Sequence, residues 1–372
     1  FYDRDHLYTT PGGDYRDNAL RFGFFSLGAL EIAKELDFRP DIIHCNDWQS
    51  ALAPIALKWK KHYNNDPFFK NSEVVFTIHN ISYQGIFGKD LLDKFGLSGA
   101  LFNPEQLEFY GRVNLLKGGI LTSDLVTTVS PTYAREIQTR EYGYGLDGVL
   151  RSVAHAGKLV GILNGIDNED WNPETDKALY ARYNAADIKG KYENKTKLKN
   201  LLGFSTNGHV PLIGVISRLA HQKGIDLIVR TLHRILDLGA ELVILGAGDK
   251  GYERLLKQVT DDYVDNFRAV IGYNEAKARR IYAGSDMFLM PSRFEPCGLG
   301  QLIALRYGTI PVVRATGGLL DTITDYDEGR EHANGFIFDH FTERSMLNTI
   351  ERAISVYQDP PEWRRLVSNA MG

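Results

Sequence analysis

The chain has 372 residues, of which 43% are hydrophobic and 24% are charged, and its formal net charge is −4. This length favours two domains, and this composition excludes a disordered chain and a global attraction to nucleic acid. The two cysteines, Cys45 and Cys297, are too few for a disulfide framework or a zinc cluster.

The first half of the chain alternates short apolar strands with helices. The hydrophobic spacing predicts a helix at 19–36, a strand at 40–44, a helix at about 50–61, and strands at 74–78 and 125–129. This alternation predicts βαβ units and a parallel sheet, whose ligand groove lies at the C-terminal ends of the strands. Asp47, His79 and Ser130 follow such strand ends.

A change in composition separates the two halves. The apolar segment 158–163 leads into a polar stretch, rich in Lys and Asn, that continues to His209, and we interpret this change as the crossover between domains. A second alternation follows, with strands predicted at 212–216, 241–245, 269–271, 287–290 and 310–313 and a helix at 225–236. The predicted fold class is α/β, with two doubly wound Rossmann-like domains, 1–163 and 164–372, facing a cleft.

The segment Pro291–Gln301 has the most informative pattern in the second half. It follows a buried-type strand, presents the carboxylate of Glu295, and then opens a helix through Gly298 and Gly300. A charged side chain beside free N–H groups at a helix start suits a sugar phosphate or a nucleotide-sugar. The alternative is a structural corner in which Glu295 caps the helix. The spacing alone leaves both interpretations open.

Other loops at strand ends could bind the same kind of ligand. Arg218 and Lys223 lie on the loop after strand 212–216, where two cations can hold a pyrophosphate, although solvated surface cations are the alternative. The loop 315–319 offers amides to an anion in the same way. Tyr273, just beyond a strand, either stacks on a purine or lies at the rim of a site.

Several motifs carry less weight. The segment 246–251 matches G-x-G-x-x-G, the fingerprint of dinucleotide-binding loops. It follows the second strand of its domain rather than the first, and the next strand does not end in an acidic residue that could bind a ribose. We therefore predict a tight turn there, near a phosphate at most. His79 and Asn80 are compatible with a general base, a sugar ligand or a capped loop. No G-x-S-x-G sequence supports a hydrolase.

Metal and membrane signals are weak in this sequence. The D-x-D sequences at 3–5 and 325–327 are predicted to be solvated, and no paired-Cys or H-E-x-x-H spacing occurs. The glycine-containing segment 117–120 precedes a strand and is predicted to serve packing. No apolar stretch could cross a bilayer, and no secretion signal is present. We therefore predict no metal, no membrane partner and a cytoplasmic location, with the plastid stroma as the alternative for a plant protein.

Taken together, the motifs resemble bacterial glycogen synthase and plant starch synthase, which are retaining glucosyltransferases with two Rossmann-like domains (the GT-B fold). The resemblance covers nearly the whole chain. It is carried by ordered segments at 17–22, 44–48, 77–81, 129–134, 144–148, 164–167, 217–219, 223–224, 291–301 and 316–319.

The resemblance implies transfer of glucose from ADP-glucose to the non-reducing end of an α-1,4-glucan, with retention and without a metal or other cofactor. It implies that Arg218 and Lys223 hold the diphosphate, that Glu295 binds glucose hydroxyls, and that His79 acts from the other side of the cleft. The substrate-binding positions it implies are Asp47 on the acceptor side, Asn80, Tyr83, Asn164, Tyr273 on the adenine, Cys297, Gly298, Leu299, Gly300, Thr316, Gly317 and Gly318.

The chain also departs from the family pattern. The first family strand with its Lys-x-Gly-Gly loop and the last crossover helix lie outside this sequence, which starts at Phe1 without an initiator Met, so we expect a piece of a longer protein. Ile303 stands where related transferases often have a second Glu. The alternatives are a non-catalytic glucan-binding module, an inactive fragment, and an NAD oxidoreductase that depends on the segment 246–251 alone.

Overall fold

The computed structural model describes residues 1–10, 13–204, 209–329 and 331–372. The chain forms two compact units, Phe1–Ile162 and Leu163–Gly372, and each has its own parallel sheet. In the described part of the chain, no helix is both long and apolar enough to span a membrane.

The first unit is built on a four-stranded parallel sheet. The strands of the whole unit, in chain order, are β1 (Thr9–Thr10), β2 (Gly13–Asp14), β3 (Ile42–Asn46), β4 (Glu73–Ile78), β5 (Ile86–Phe87), β6 (Glu108–Phe109), β7 (Arg112–Asn114), β8 (Leu125–Thr128) and β9 (Leu159–Gly161). The parallel sheet has the order β3-β4-β8-β9, and β5-β7-β6 forms a small antiparallel sheet. Phe76 and Ile78 on one face of β4 are fully buried, and Thr77 on the other face is only 8% exposed, as expected for a central strand covered on both faces.

The helices of the first unit connect these strands. They are α1 (Asn18–Glu35), α2 (Asp47–Ser50), α3 (Leu52–Trp59), α4 (Lys61–Asn64), α5 (Leu91–Lys94), α6 (Leu115–Thr122), α7 (Pro131–Glu136) and α8 (Asp147–His155). The helix predicted at about 50–61 is divided at Lys60, whose extended backbone ends α3. Gly118 and Gly119 lie in buried α6, where an added Cβ would meet Ile55 and Phe76, so the predicted packing role is confirmed.

The second unit contains a six-stranded parallel sheet. Its strands are β10 (Leu212–Ile216), β11 (Glu241–Gly246), β12 (Phe267–Ile271), β13 (Met287–Met290), β14 (Ile310–Arg314) and β15 (Phe336–Phe338). Their order is β12-β11-β10-β13-β14-β15, which is the dinucleotide-fold order 3-2-1-4-5-6. The strand order reverses between β10 and β13, and ligands of such sheets bind outside the C-terminal strand ends at this switch point.

Eight helices of the described chain cover this sheet. They are α9 (Lys189–Leu202), α10 (Ile225–Asp237), α11 (Lys250–Asp262), α12 (Glu275–Gly284), α13 (Gly300–Arg306), α14 (Gly317–Thr322), α15 (Glu343–Tyr357) and α16 (Pro360–Met371). Helix α10 shows the predicted apolar stripe, with Ile225, Ile228 and Ile235 almost fully buried.

The polar stretch after residue 163 includes a packed helix that the composition did not indicate. Lys191, Lys195 and Lys199 lie four residues apart on α9, so they share one face, and all three are buried. Lys195 pairs with Asp286 at 2.7 Å and Lys199 pairs with Glu241 at 3.0 Å. Burial of these lysines is possible because each ammonium meets a carboxylate or several carbonyls inside the unit.

Candidate functional site

The loops after β10 and β13 meet at the switch point of the second unit. The Nζ of Lys223 lies 2.8 Å from Oε1 and 2.6 Å from Oε2 of Glu295, and Oγ of Ser292 donates to Oε2 at 2.9 Å. Glu295 is only 6% exposed, so its charge is compensated inside the protein. It does not cap α13, whose N-terminal flanking residue is Leu299, and the capping alternative is therefore wrong.

Backbone and side-chain contacts fix these two loops to each other. The N–H of Arg293 donates to the carbonyl of Gln222 at 2.8 Å, and Nε2 of Gln222 donates to the carbonyl of Phe294 at 3.2 Å. The Arg293 guanidinium pairs with Asp226 at 3.0 Å and lies 3.9 Å from the centre of the Phe341 ring. The position of Glu295 relative to Lys223 is therefore determined by several contacts rather than by one flexible loop.

Replacing Ser292 with alanine tests how far the Glu295 carboxylate depends on its buried partner. The variant removes the 2.9 Å hydrogen bond to Oε2 without adding volume. We expect kcat to fall roughly 10-fold and the free energy of unfolding to fall by about 1 kcal/mol, because a charge-assisted hydrogen bond to a buried carboxylate is lost while the Lys223 pair remains. Steady-state kinetics and denaturant unfolding measure the two effects. An unchanged kcat would contradict the prediction that Glu295 takes part in the reaction and depends on Ser292.

Arg218 extends the charge of this loop toward solvent. Its side chain is exposed, and Nη2 lies 3.4 Å from Oε1 of Gln222. Arg218 thus places a second cationic side chain at the C-terminal end of β10, next to the Lys223–Glu295 pair. This arrangement suits a diphosphate, which would bring its own negative charge.

The loop between β14 and α14 packs against the backbone of Glu295. The N–H of Gly318 donates to the carbonyls of Glu295 and Pro296 at 3.1 and 3.2 Å. That amide therefore already has acceptors within the protein, and it supports the Glu295 loop. Thr316 is fully buried at the start of the same helix.

Gly317 allows this contact, and its substitution should disturb Glu295 directly. Its φ is +47°, and a Cβ at this position would lie 1.9 Å from the carbonyl oxygen of Glu295. We expect Gly317→Ala to lower the free energy of unfolding by about 2 kcal/mol, because backbone rather than a side chain must move. Denaturant unfolding measures this, and Gly165→Ala, where nothing lies within 4 Å, is the matched control.

The remaining predicted residues of the second unit differ widely in exposure. Tyr273 is 81% exposed and Leu299 is 47% exposed, whereas Cys297 is only 5% exposed. Burial raises the pKa of the Cys297 thiol, although a hydrogen bond from the backbone of Asn164 acts in the opposite direction. Cys297 is therefore protonated at neutral pH and is not an activated nucleophile.

The predicted residues of the first unit gather at the C-terminal ends of β3 and β4. Oδ1 of Asp47 accepts the backbone N–H of His79 at 2.8 Å, and Nε2 of His79 lies 2.8 Å from Oδ1 of Asn46. This contact orients the exposed imidazole ring of His79 at the end of β4. Burial raises the pKa of Asp47, while hydrogen bonds from the backbone of His79 and Asn80 lower it.

Asn80 and Tyr83 follow β4 in the same unit. Oδ1 of Asn80 accepts from the N–H of Ser82 at 3.0 Å and from its Oγ at 2.7 Å, so this side chain forms the turn after the strand. Tyr83 is 50% exposed. A substrate role for either residue stays a prediction.

Two motifs have structural explanations. At the G-x-G-x-x-G segment, Oδ1 of Asp249 accepts from Gly251 N at 2.7 Å and Tyr252 N at 3.2 Å, so the chain's own carboxylate caps α11 where a pyrophosphate would bind. The prediction that the D-x-D at 325–327 is solvated is wrong for Asp325, which is 6% exposed and pairs with Arg352 at 2.8 Å. Among the described residues, no group of three His, Cys, Asp or Glu side chains could hold a metal ion.

The structure adds residues that the sequence motifs did not indicate. Ser292 and Asn46 each contact a predicted site residue, and both are ordinary polar residues next to a motif. Ser292 lies three positions before its partner Glu295, so the local spacing could have indicated this contact. Asn46 lies 33 positions before its partner His79, and no local pattern indicates that contact.

The architecture defines a class of protein. Two units, each with its own parallel sheet and one of them with the dinucleotide-fold strand order, are the organisation of GT-B glycosyltransferases. The sucrose-phosphate synthase of Thermosynechococcus elongatus has this fold, and it is similar to the present chain with a TM-score of 0.61 at 18% identity, covering 98% of this chain and 76% of that one.

Closer similarities extend over the whole chain. Residues 1–152 match the family model described as starch synthase catalytic domain, and residues 204–370 match glycosyl transferases group 1. The chain is 49% identical over 371 residues to glycogen synthase 2 of Geobacter sulfurreducens, covering 100% of this chain and 76% of that protein. It is 46% identical to the glycogen synthase of Thermosipho africanus, covering 100% of this chain and 75% of that protein.

A solved structure supports the same assignment. The catalytic domain of starch synthase IV from Arabidopsis thaliana, bound to ADP and acarbose, is similar with a TM-score of 0.91 and 40% identity, covering 99% of this chain and 75% of that one. The chain therefore belongs to the family of bacterial glycogen synthases and plant starch synthases, and it is a glycosyltransferase with the GT-B fold. The predicted family and the predicted α/β class with the GT-B fold are confirmed.

Proposed function

We propose that this protein transfers glucose from ADP-glucose to the non-reducing end of an α-1,4-glucan, with retention of configuration. The observation that carries the proposal is the juxtaposition of Arg218, Lys223 and Glu295 at the switch point of the second unit. The similar starch synthase IV domain was solved with ADP and acarbose, a nucleotide and an oligosaccharide, and this pair of ligands supports the same donor and acceptor classes here.

The second unit would hold the donor. Arg218 and Lys223 would bind the diphosphate, Glu295 would accept hydrogen bonds from glucose hydroxyls, and Tyr273 would stack on the adenine. Asn164, Cys297, Gly298, Leu299, Gly300, Thr316, Gly317 and Gly318 would line the same site. The first unit would contribute His79 as a glucose contact and Asp47, Asn80 and Tyr83 toward the acceptor.

The chemistry depends on the departing ADP. As the bond between the anomeric carbon and the β-phosphate oxygen breaks, negative charge develops on that oxygen and positive charge develops on the glucose ring. Arg218 and Lys223 supply positive charge for the phosphate, and the Glu295 carboxylate beside Lys223 would fix the sugar through its hydroxyls. The acceptor hydroxyl oxygen forms the new bond to the anomeric carbon, and its proton passes to the departing β-phosphate oxygen or through it to solvent. The products are ADP and a glucan that is one glucose longer.

The direct test measures incorporation of labelled glucose into glycogen from ADP-glucose and UDP-glucose in parallel. We expect incorporation from ADP-glucose and release of ADP in equal amounts. No incorporation from either donor would refute the proposal. Binding to glycogen without ADP release would instead favour the glucan-binding module. Because the similar glycogen and starch synthases are longer than this chain, a second sample should carry the full-length gene product.

A cytoplasmic location accompanies this proposal. It rests on the bacterial glycogen synthases that are similar to the chain, and fractionation of the source cells would test it.

A further inference from the structure

Two tyrosines of the first unit adopt a backbone conformation that bulky residues avoid. Tyr110 has φ +47° and Tyr144 has φ +49°, and each is followed by a glycine with positive φ, Gly111 at +77° and Gly145 at +82°. An aromatic residue in the left-handed region is conformationally costly. Such positions persist where the surrounding structure or a function requires them.

The Tyr110 turn shows the conflict most clearly. Tyr110 and Gly111 are the two loop residues of the β6–β7 hairpin, in which Phe109 is paired with Arg112. A two-residue hairpin with positive φ at both positions prefers Asn-Gly. The chain has tyrosine in the Asn position, and its side chain is 82% exposed, so burial of the ring in this unit does not explain the choice.

The two Tyr-Gly turns lie against each other. An added Cβ on Gly145 would meet Phe109 at 3.0 Å and Tyr110 at 3.4 Å, which shows that the second turn touches the aromatic pair of the first. The Phe109 and Tyr110 rings are 4.7 Å apart in an edge-to-face arrangement. The direction of the Tyr110 ring is thus supported by its neighbours.

A buried hydrogen-bond chain joins these turns to the loop that carries Tyr83. Nδ2 of Asn114, at the end of β7, donates to Oε1 of Gln84 at 2.6 Å, and Nε2 of Gln84 donates to the carbonyl of Tyr144 at 3.1 Å. Asn114 is fully buried and Gln84 is 7% exposed. Tyr83 is the neighbour of Gln84 in the sequence. Burial raises the pKa of Tyr144, and Tyr83 adds to this shift. The three segments that carry these tyrosines are therefore joined by hydrogen bonds and by side-chain contact.

We propose that Tyr83, Tyr110 and Tyr144 form a tyrosine platform that binds a stretch of the α-glucan chain. Exposed tyrosine rings offer an apolar face to the C–H faces of pyranose rings, and their hydroxyl groups can exchange hydrogen bonds with the sugar. A rigid platform loses little conformational entropy when it binds such a chain. The platform deepens the proposed function, on which it rests, by adding Tyr110 and Tyr144 to the acceptor side.

The test uses substitutions that suit the turns. Tyr110→Asn and Tyr144→Asn remove the rings and introduce the residue that the left-handed conformation tolerates. The matched control is Tyr192→Ala, which removes a 51% exposed tyrosine from α9 in the second unit. Glycogen affinity is measured by electrophoresis through glycogen-containing gels, ADP affinity by calorimetry, and stability by thermal unfolding.

For each platform variant we expect a glycogen Kd raised about 10-fold. We expect a Tm that is unchanged or raised by about 2 °C, because backbone strain is removed. Wild-type glycogen affinity in Tyr110→Asn and Tyr144→Asn would overturn the platform, and so would a marked fall in Tm, which would show that the tyrosines serve folding. If the wild-type protein binds glycogen but neither binds ADP nor transfers glucose, the proposed function fails while the platform stands.

Discussion

Replacing Lys223 with alanine is expected to lower kcat by on the order of 10²-fold or more. The lysine lies 2.6 Å from the Glu295 carboxylate at the switch point, and in the proposed reaction its charge stabilises the departing diphosphate. The substitution removes that charge and also leaves a buried carboxylate without its cation. Steady-state rates of ADP release at saturating ADP-glucose measure the effect.

A surface ion pair supplies the control for Lys223. Lys250 pairs with Glu253 at 2.8 Å, but its side chain is 77% exposed, so Lys250→Ala should change neither kcat nor Tm appreciably. Lys223→Ala should also lower the Tm, and Glu295→Gln in the same background should restore part of it by removing the uncompensated charge. A loss confined to KM would show that Lys223 contributes only ground-state binding.

The second large effect concerns stability and involves Lys191. Its Nζ lies 3.1 Å from the carbonyl of Ala283, 2.9 Å from that of Ser285 and 2.6 Å from Oγ1 of Thr309, with the carbonyl of Tyr307 at 3.1 Å. Lys191→Met would take this donor from the Ala283 carbonyl and leave the other three oxygens with one hydrogen bond fewer each. We expect a loss of about 3 kcal/mol in the free energy of unfolding at pH 8. Urea unfolding measures it.

The cost of Lys191→Met should depend on pH in a defined direction. Burial lowers the pKa of Lys191 to about 7, although Asp286 opposes the shift. Between pH 7 and the ordinary lysine pKa, the unfolded chain therefore binds a proton at this site that the folded chain has released. Stability of the wild type must rise with pH in that window relative to a variant without the group. The deficit of Lys191→Met should grow by on the order of 1 kcal/mol per pH unit from pH 7 upward.

Lys197 provides the control for this measurement. It lies on the exposed face of the same helix, so Lys197→Met changes the same residue type without touching the buried acceptors. Its effect on the free energy of unfolding should stay within about 0.5 kcal/mol, as for most surface substitutions. A deficit of Lys191→Met that is constant from pH 7 upward would show that the ammonium remains charged throughout.

The strands and most long helices follow from local patterns. Runs such as 74–78 and 287–290 are apolar enough to be central strands, and α10 has a clear helical stripe, so their type and approximate bounds were predictable. Helix α9 was not predictable, because its many lysines are typical of a polar linker. Only the structure shows the buried groups with which these lysines pair. Strand β15 is only three residues long and gives too short a signal.

The amino-acid sequence was sufficient to predict the family, the α/β class, and the placement of Arg218, Lys223 and Glu295 at strand ends, because motifs and hydrophobic periods are local properties. The three-dimensional structure was needed to show that Lys223 and Glu295, 72 residues apart, form a buried pair with Ser292, and that Gly317 leaves room for the Glu295 backbone. It also revealed that tyrosines occupy two left-handed turns. Such contacts depend on strand order and on backbone angles, and neither is encoded in the spacing of residue types along the chain.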